Sequence, residues 1–286
     1  MPDRGHQRRG VSLVGFHAQL DTAYASSGSG LCIGLDPDPV RFPTTIGQTP
    51  ASIAAFCRAI IEATGDLACA FKPQIAHFAA HRAEDQLEEV CAAIRDLAPH
   101  AVLILDAKRG DIGSTAEHYA TEAFERYGAH AVTVNPYLGT DAAVPFLERG
   151  GVIALCRTSN PGAGELQDRE LEGRPLYVAV AEMVANEWSR HGQCALVVGA
   201  TVPDHLRQVR AAAPGLPVLI PGVGAQGGDL TASVLAGRSA SAPGAAGVIV
   251  SSSRQVLYAS DGADFASAAR AEAERMHRAL TSALAT

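Results

Sequence analysis

Eight short apolar runs recur along this 286-residue chain, and most of them stop at a polar, charged or proline-containing turn. They are Leu31–Leu35, Leu67–Phe71, Ala101–Leu105, Ala131–Val134, Val152–Leu155, Ala195–Val198, Pro217–Ile220 and Gly247–Val250. Runs that are apolar throughout, without alternation, suit strands buried on both faces. Segments with helical spacing lie between them, and a short lead-in helix over Phe16–Ala25 precedes the first run. Strands alternating with helices give a parallel sheet covered by helices. Eight such units predict an α/β chain folded as a single-domain (β/α)8 TIM barrel. A doubly wound open sheet is the competitor. The count of eight favours the barrel, as do ionisable residues at many run ends instead of beside one crevice. The barrel is expected over 11–286, after a disordered tail at 1–10. Gly237–Gly244, rich in Ser, Gly and Pro, reads as an inserted loop and not as a linker.

Composition narrows the function. A net charge of −7 argues against a general nucleic-acid binder. It leaves room for a small anion held by a few local cations. Six cysteines stand apart with no Cys-x-x-Cys pair, as buried apolar residues in a reducing compartment do. The polar N-terminus has no apolar run after it to make a signal peptide, and no segment is long enough to span a membrane. The expected location is cytoplasmic, with neither nucleic acid nor membrane as partner.

The chemistry concentrates at the run ends, which converge on one mouth of such a barrel. The decapeptide Asp106-Ala-Lys108-Arg-Gly-Asp111-Ile112-Gly-Ser-Thr115 follows the third run. Side chains two apart on a strand point the same way, so Asp106 and Lys108 are expected to leave it together. Ser114 and Glu117 fit a capping box that opens the next helix. Asp36, Lys72, Ser159, Gln226 and Arg254 stand at other run ends. The glycine-rich Gly222-Val-Gly-Ala-Gln-Gly-Gly228 turn, with the following helix N-terminus and Arg254, reads as a phosphate site. It lies too late in the chain for a dinucleotide fingerprint. His77 and His81 are four apart but lack the glutamate of a zinc-protease helix, and read as surface or packing residues. Lys72 and Lys108 oppose a magnesium site built on Asp36, Asp106 and Asp111. Flanking carboxylates keep Lys108 charged, which suits a proton donor better than an amine nucleophile.

Residues 106–115 resemble the signature of the orotidine 5′-phosphate decarboxylases, in their longer bacterial subgroup. Gly34-Leu-Asp36, Phe71-Lys72-Pro, Thr158-Ser-Asn-Pro161, Pro221–Gly228 and Ser251-Ser-Ser-Arg254 resemble the family's other active-site segments, in the same order. The likeness covers roughly residues 30 to 255. One departure stands out: Ser253 precedes Arg254, where the shorter subgroup carries glycine.

The resemblance implies decarboxylation of orotidine 5′-monophosphate to UMP, without metal or organic cofactor, by a homodimer whose sites are shared between subunits. It implies an alternating charge array of Lys72, Asp106, Lys108 and Asp111, the last supplied by the other subunit. Lys108 would protonate C6. Asp36 and Lys72 would bind ribose hydroxyls, with Thr115 reaching in from the partner, and Ile112 would pack near the ring. Ser159 would hydrogen-bond the pyrimidine, while Gln226 and Arg254 hold the phosphate, with Pro221 lining the same loop and Ser253 beside it. Two alternatives remain at this point. One is a magnesium-dependent sugar-phosphate decarboxylase or aldolase on the same barrel, which expects an acidic ligand where Lys72 stands. The other is a nucleotide-sensing barrel without catalysis, which needs no Lys108.

Overall fold

The computed structural model describes residues 15–223 and 228–286. Eight parallel strands close into a barrel: β1 (Leu31–Leu35), β2 (Ala70–Pro73), β3 (Val102–Arg109), β4 (Ala131–Val134), β5 (Gly151–Arg157), β6 (Cys194–Val198), β7 (Val218–Pro221) and β8 (Val248–Ser252). Each strand pairs with its neighbours in sequence, and Leu31 opposite Val250 closes the ring. The expected barrel is therefore the observed one. The expected tail at 1–10 lies outside the described residues.

The apolar runs are continuous because both faces of each strand are buried. Cys32, Ala70, Ile104, Ala131, Ile153, Ala195, Leu219 and Ile249 fill the barrel interior. Leu31, Ile33, Phe71, Leu103, Leu105 and Val132 face outward, under the helices. Small side chains on several strands leave room inside for a plug. The lead-in helix, Phe16–Ser27, supplies it with Phe16, Leu20 and Ala23. A Cβ on Gly151 would lie 2.5 Å from the Phe16 ring, so only glycine fits there. The Gly237–Gly244 loop belongs to this same end: the Gly244 amide donates to Asp21 at 2.6 Å. It braces the floor, opposite the mouth where the strands end.

Two local expectations are corrected. β3 runs on through charged residues to Arg109, because Arg109 still pairs with Val134 of β4 after a break in register. The helix after it spans Gly113–Thr121, with Ile112 as its cap and no side-chain cap bond. Gly113, at φ +52, starts the helix one residue early. Ser114 therefore sits inside the first turn, and the predicted capping box does not form.

Arg210 ties the floor end together. Its guanidinium donates to the carbonyls of Gly237 (2.7 Å), Leu216 (2.6 Å) and Gly247 (3.1 Å), which end one helix and precede two strands. Burial lowers its pKa to about 10. Arg210→Met is expected to reduce unfolding free energy by about 3 kcal/mol, since buried carbonyls lose charge-assisted partners. Denaturant titration would measure it, and KM should stay unchanged because the mouth is remote.

Candidate active site

Three strand ends build a buried ion cluster. Lys72 ends β2, Asp106 and Lys108 lie on β3, and Thr133 lies on β4. Lys72 Nζ donates to Asp106 Oδ2 at 2.9 Å, and Lys108 Nζ donates to Asp106 Oδ1 at 2.7 Å. Thr133 Oγ1 donates to the same Oδ1 at 2.9 Å. Every oxygen of the carboxylate thus has a donor. Burial by itself would raise the Asp106 pKa, but the two ammonium groups overcome it and hold the carboxyl well below the usual range. Burial would likewise lower Lys72; Asp106 and then Asp36 reverse this and keep it above an ordinary lysine. The two lysines differ in access. The Lys72 side chain is 8% exposed and that of Lys108 is 46% exposed.

The backbone at Lys108 is unusual. Its φ is +47°, in the left-handed region. That conformation costs a non-glycine residue about 1–2 kcal/mol. The expected same-side exit of Asp106 and Lys108 is observed, but through this bulged turn and not through simple strand alternation.

A cavity of about 510 Å3 opens above the cluster. Lys72, Asp106, Lys108, Ser159 and Pro221 line it together with Thr133, Asn160 and Gln167, and Leu155, Val197 and Leu219 form its apolar base. Ser159 is set by a close backbone approach: a Cβ on Gly199 would lie 2.8 Å from the Ser159 Cβ. The loop carrying Ser159 is pinned by Thr158 and Gln167, whose side chain accepts the Thr158 amide at 2.8 Å. Arg157 clamps Asp168 with two bonds of 2.7 and 3.0 Å.

At the β1 end, Ser253 Oγ donates to Asp36 Oδ2 at 2.6 Å. Asp36 Oδ1 is buried without a partner among the described residues, an acceptor open to a ligand hydroxyl. Tyr258 locks the two strand ends: its hydroxyl donates to the Asp36 carbonyl and accepts the Asp38 amide. The Arg254 side chain, exposed at the start of Arg254–Leu257, makes no hydrogen bond or ion pair among the described residues.

Other expected residues stand apart. The Asp111 carboxylate accepts the Ile112 amide at 2.8 Å, Ile112 is 61% exposed, and Thr115 is exposed on the helix. None of the three lines the cavity. Gln226 lies outside the described residues. The helix after the glycine-rich turn, Leu230–Gly237, is capped by Asp229, which accepts the Ala232 amide at 2.8 Å. Asp229 thus satisfies one amide of that N-terminus; most of the glycine-rich turn before it lies outside the described residues. His77 Nδ1 donates to the Pro37 carbonyl at 3.1 Å, as a packing residue does.

A family model described as orotidine 5′-phosphate decarboxylase / HUMPS matches residues 29–269, the whole barrel except its floor helix and the last turns. The chain belongs to this family. It is 57% identical over 257 residues to an orotidine 5′-phosphate decarboxylase from Janthinobacterium sp. (strain Marseille), covering 89% of this chain and 94% of that one. It is 55% identical to the Bordetella petrii protein of the same name, covering 93% and 98%. Among solved structures, the OMP decarboxylase of Leishmania donovani aligns with a TM-score of 0.82 at 36% identity, over 96% of this chain and all of that one.

Within this decarboxylase frame, Thr133 is a site residue that the sequence reading passed over. It lies in an apolar strand, and only the spatial pairing of β4 with the β3 bulge brings it to Asp106.

The ion cluster has a pH signature. Asp106, held below its ordinary value of 3.8, contributes stability that is full above that pH and lost as pH falls through its depressed pKa. Lys72, held above 10.5, contributes stability that is full below that pH and lost as pH rises through its raised pKa. The stability advantage of wild type over Asp106→Asn is expected to stay constant near neutrality and shrink below about pH 4. Unfolding titrations across pH would test this; an advantage that grew on acidification would contradict the charge arrangement.

Proposed function

We propose that Lys108 is the proton donor in the reaction this chain catalyses, the decarboxylation of orotidine 5′-monophosphate to UMP in pyrimidine biosynthesis. The chain is a carbon–carbon lyase. One observation carries the role of Lys108: of the two ammonium groups on Asp106, only this one is half-exposed to the cavity. Lys72 also borders the cavity, but it is buried and serves to fix the carboxylate.

The chemistry follows from that arrangement. The bond from C6 to the carboxylate breaks, CO2 leaves, and the electron pair stays on C6 with no π system to delocalise it. A fixed positive charge beside C6 stabilises that pair, and the Lys108 Nζ–H then supplies the proton. Lys108 is left neutral and regains a proton from water. Asp106 holds the Lys108 ammonium by its 2.7 Å hydrogen bond and faces the substrate carboxylate. Two such charges about 4 Å apart repel by roughly 4 kcal/mol at an effective dielectric near 20, and the repulsion vanishes as CO2 departs. No step calls for a metal or an organic cofactor. Lys72 also stands where the magnesium-dependent reading needs an acidic ligand.

The remaining roles are those the family resemblance implies. The orphan oxygen of Asp36 accepts a ribose hydroxyl, with Lys72 close by. Ser159 faces the pyrimidine. Arg254 holds the phosphate with the Pro221–Asp229 segment, to which Gln226 belongs. Asp111, half-buried, and the exposed Ile112 and Thr115 do not line their own cavity, as suits residues that complete a second subunit's site in a homodimer. Localisation to the cytoplasm accords with six buried free thiols.

Purified protein mixed with orotidine 5′-monophosphate, with and without EDTA, is expected to change the pyrimidine absorbance equally in both. Lys108→Ala should lower kcat by on the order of 10³-fold or more while the protein still binds UMP. Failure of folded wild type to turn over would overturn the assignment. Arg254→Ala should raise KM for the nucleotide strongly and leave a phosphate-free nucleoside nearly unaffected. Equal losses for both substrates would remove Arg254 from the phosphate site.

A further inference from the structure

We propose that Thr133 is the positioning residue that aims the Lys108 ammonium. The inference rests on Lys108 being the proton donor. The register between β3 and β4 pairs Leu105 with Val132 and Arg109 with Val134. Three residues of β3, Asp106 to Lys108, therefore stand opposite Thr133 alone. The extra residues form the bulge, and their amides lose the usual ladder acceptors. Thr133 Oγ1 takes both: the Ala107 amide at 3.0 Å and the Lys108 amide at 2.9 Å. Its own hydrogen goes to Asp106 Oδ1, which is also the oxygen that receives the Lys108 ammonium.

One hydroxyl thus grips Lys108 at both ends, by its backbone amide and by the carboxylate that holds its tip. A hydroxyl has one donor and two acceptor directions. All three are used here, so Thr133 has nothing left for a substrate hydrogen bond even though it borders the cavity. Its part is to hold and not to bind. The grip is also stiff: Thr133 is 1% exposed and β-branched, with little rotamer freedom. It accounts for how a lysine stays at φ +47°. A strained backbone persists where its surroundings over-determine it, and such sites cluster at catalytic centres.

Three variants of the full chain test this. Thr133→Val keeps the shape and removes the hydroxyl, Thr133→Ser keeps the hydroxyl, and Thr133→Ala leaves room for a bridging water. Thr133→Val is expected to lower kcat about a hundredfold, as a misplaced catalytic group does, while KM moves less than about threefold. Its acid limb in the kcat–pH profile should shift to higher pH, because Asp106 loses a donor to its charged form. Thr133→Ser should retain most of kcat. If Thr133→Val does not fold, Thr133→Ala is expected to show the same split between kcat and KM, less severely. A folded Thr133→Val or Thr133→Ala with wild-type kcat and an unmoved acid limb overturns the inference, as does Thr133→Ser impaired as badly as Thr133→Val. Lys108→Ala measured alongside separates the two readings. If it is inactive while Thr133→Val is normal, only the positioning role falls. If it is fully active, the proton-donor role falls first.

Discussion

One carboxylate shared between two ammonium groups is the interaction on which the rest of the mouth depends. Taking Asp106 and Lys72 out of water costs several kcal/mol per ion, and their attraction repays it only when every lone pair is satisfied. That condition is met by Lys72, Lys108 and Thr133, at 2.9, 2.7 and 2.9 Å. The cluster therefore behaves as a unit, since removing any member leaves the others uncompensated. Its charges are in place before substrate arrives. A site of this kind stabilises developing charge without the reorganisation that water would need.

The barrel makes that arrangement affordable. β2, β3 and β4 are adjacent in the ring, so groups from three strand ends meet without a long loop between them. The opposite end is closed by Phe16 and Leu20 and tied by Arg210, which keeps the load-carrying frame away from the chemistry. The loops at the mouth then differ in how firmly they are held. Tyr258 fixes the β1 and β8 ends, and Gly199 fixes Ser159, whereas Ile112 and Arg254 extend outward.

Much of this was legible in the sequence, and the reason is periodicity. Strands buried on both faces leave unbroken apolar runs, and eight of them leave little choice of architecture. Asp106, Lys108, Lys72 and Ser159 were visible because ionisable or hydroxyl groups at strand ends stand out against apolar neighbours. What stayed hidden depends on pairing between strands. The β3 bulge exists only relative to β4, so a linear reading gave simple alternation where the chain turns left-handed. Thr133 was invisible for the same reason: within an apolar run it reads as one more β-branched strand residue. The capping box failed because Gly113 entered the helix first. The partner-subunit roles expected of Asp111, Ile112 and Thr115 came from family resemblance and not from any pattern in the residues themselves.

Lys72 and Lys108 show how far backbone outweighs residue type. Both are lysines, and both bind Asp106 at under 3 Å. Lys72 extends from a regular strand, where Asp36 adds to its charge stabilisation. Lys108 extends from a bulge, and half of its side chain remains open to the cavity. Both border the cavity, but the first is buried against the carboxylate it keeps ionised and the second is the more exposed of the two. Asp36 also joins this cluster to the far end of the site through Ser253, the residue that departs from the glycine of the shorter subgroup. Arg254 follows directly in sequence. The segment that begins at Arg254 thus adjoins Ser253, which holds Asp36, whose charge acts through space on Lys72 of the cluster. That is a physical route by which binding energy from the unreactive end can hold the reacting end in register.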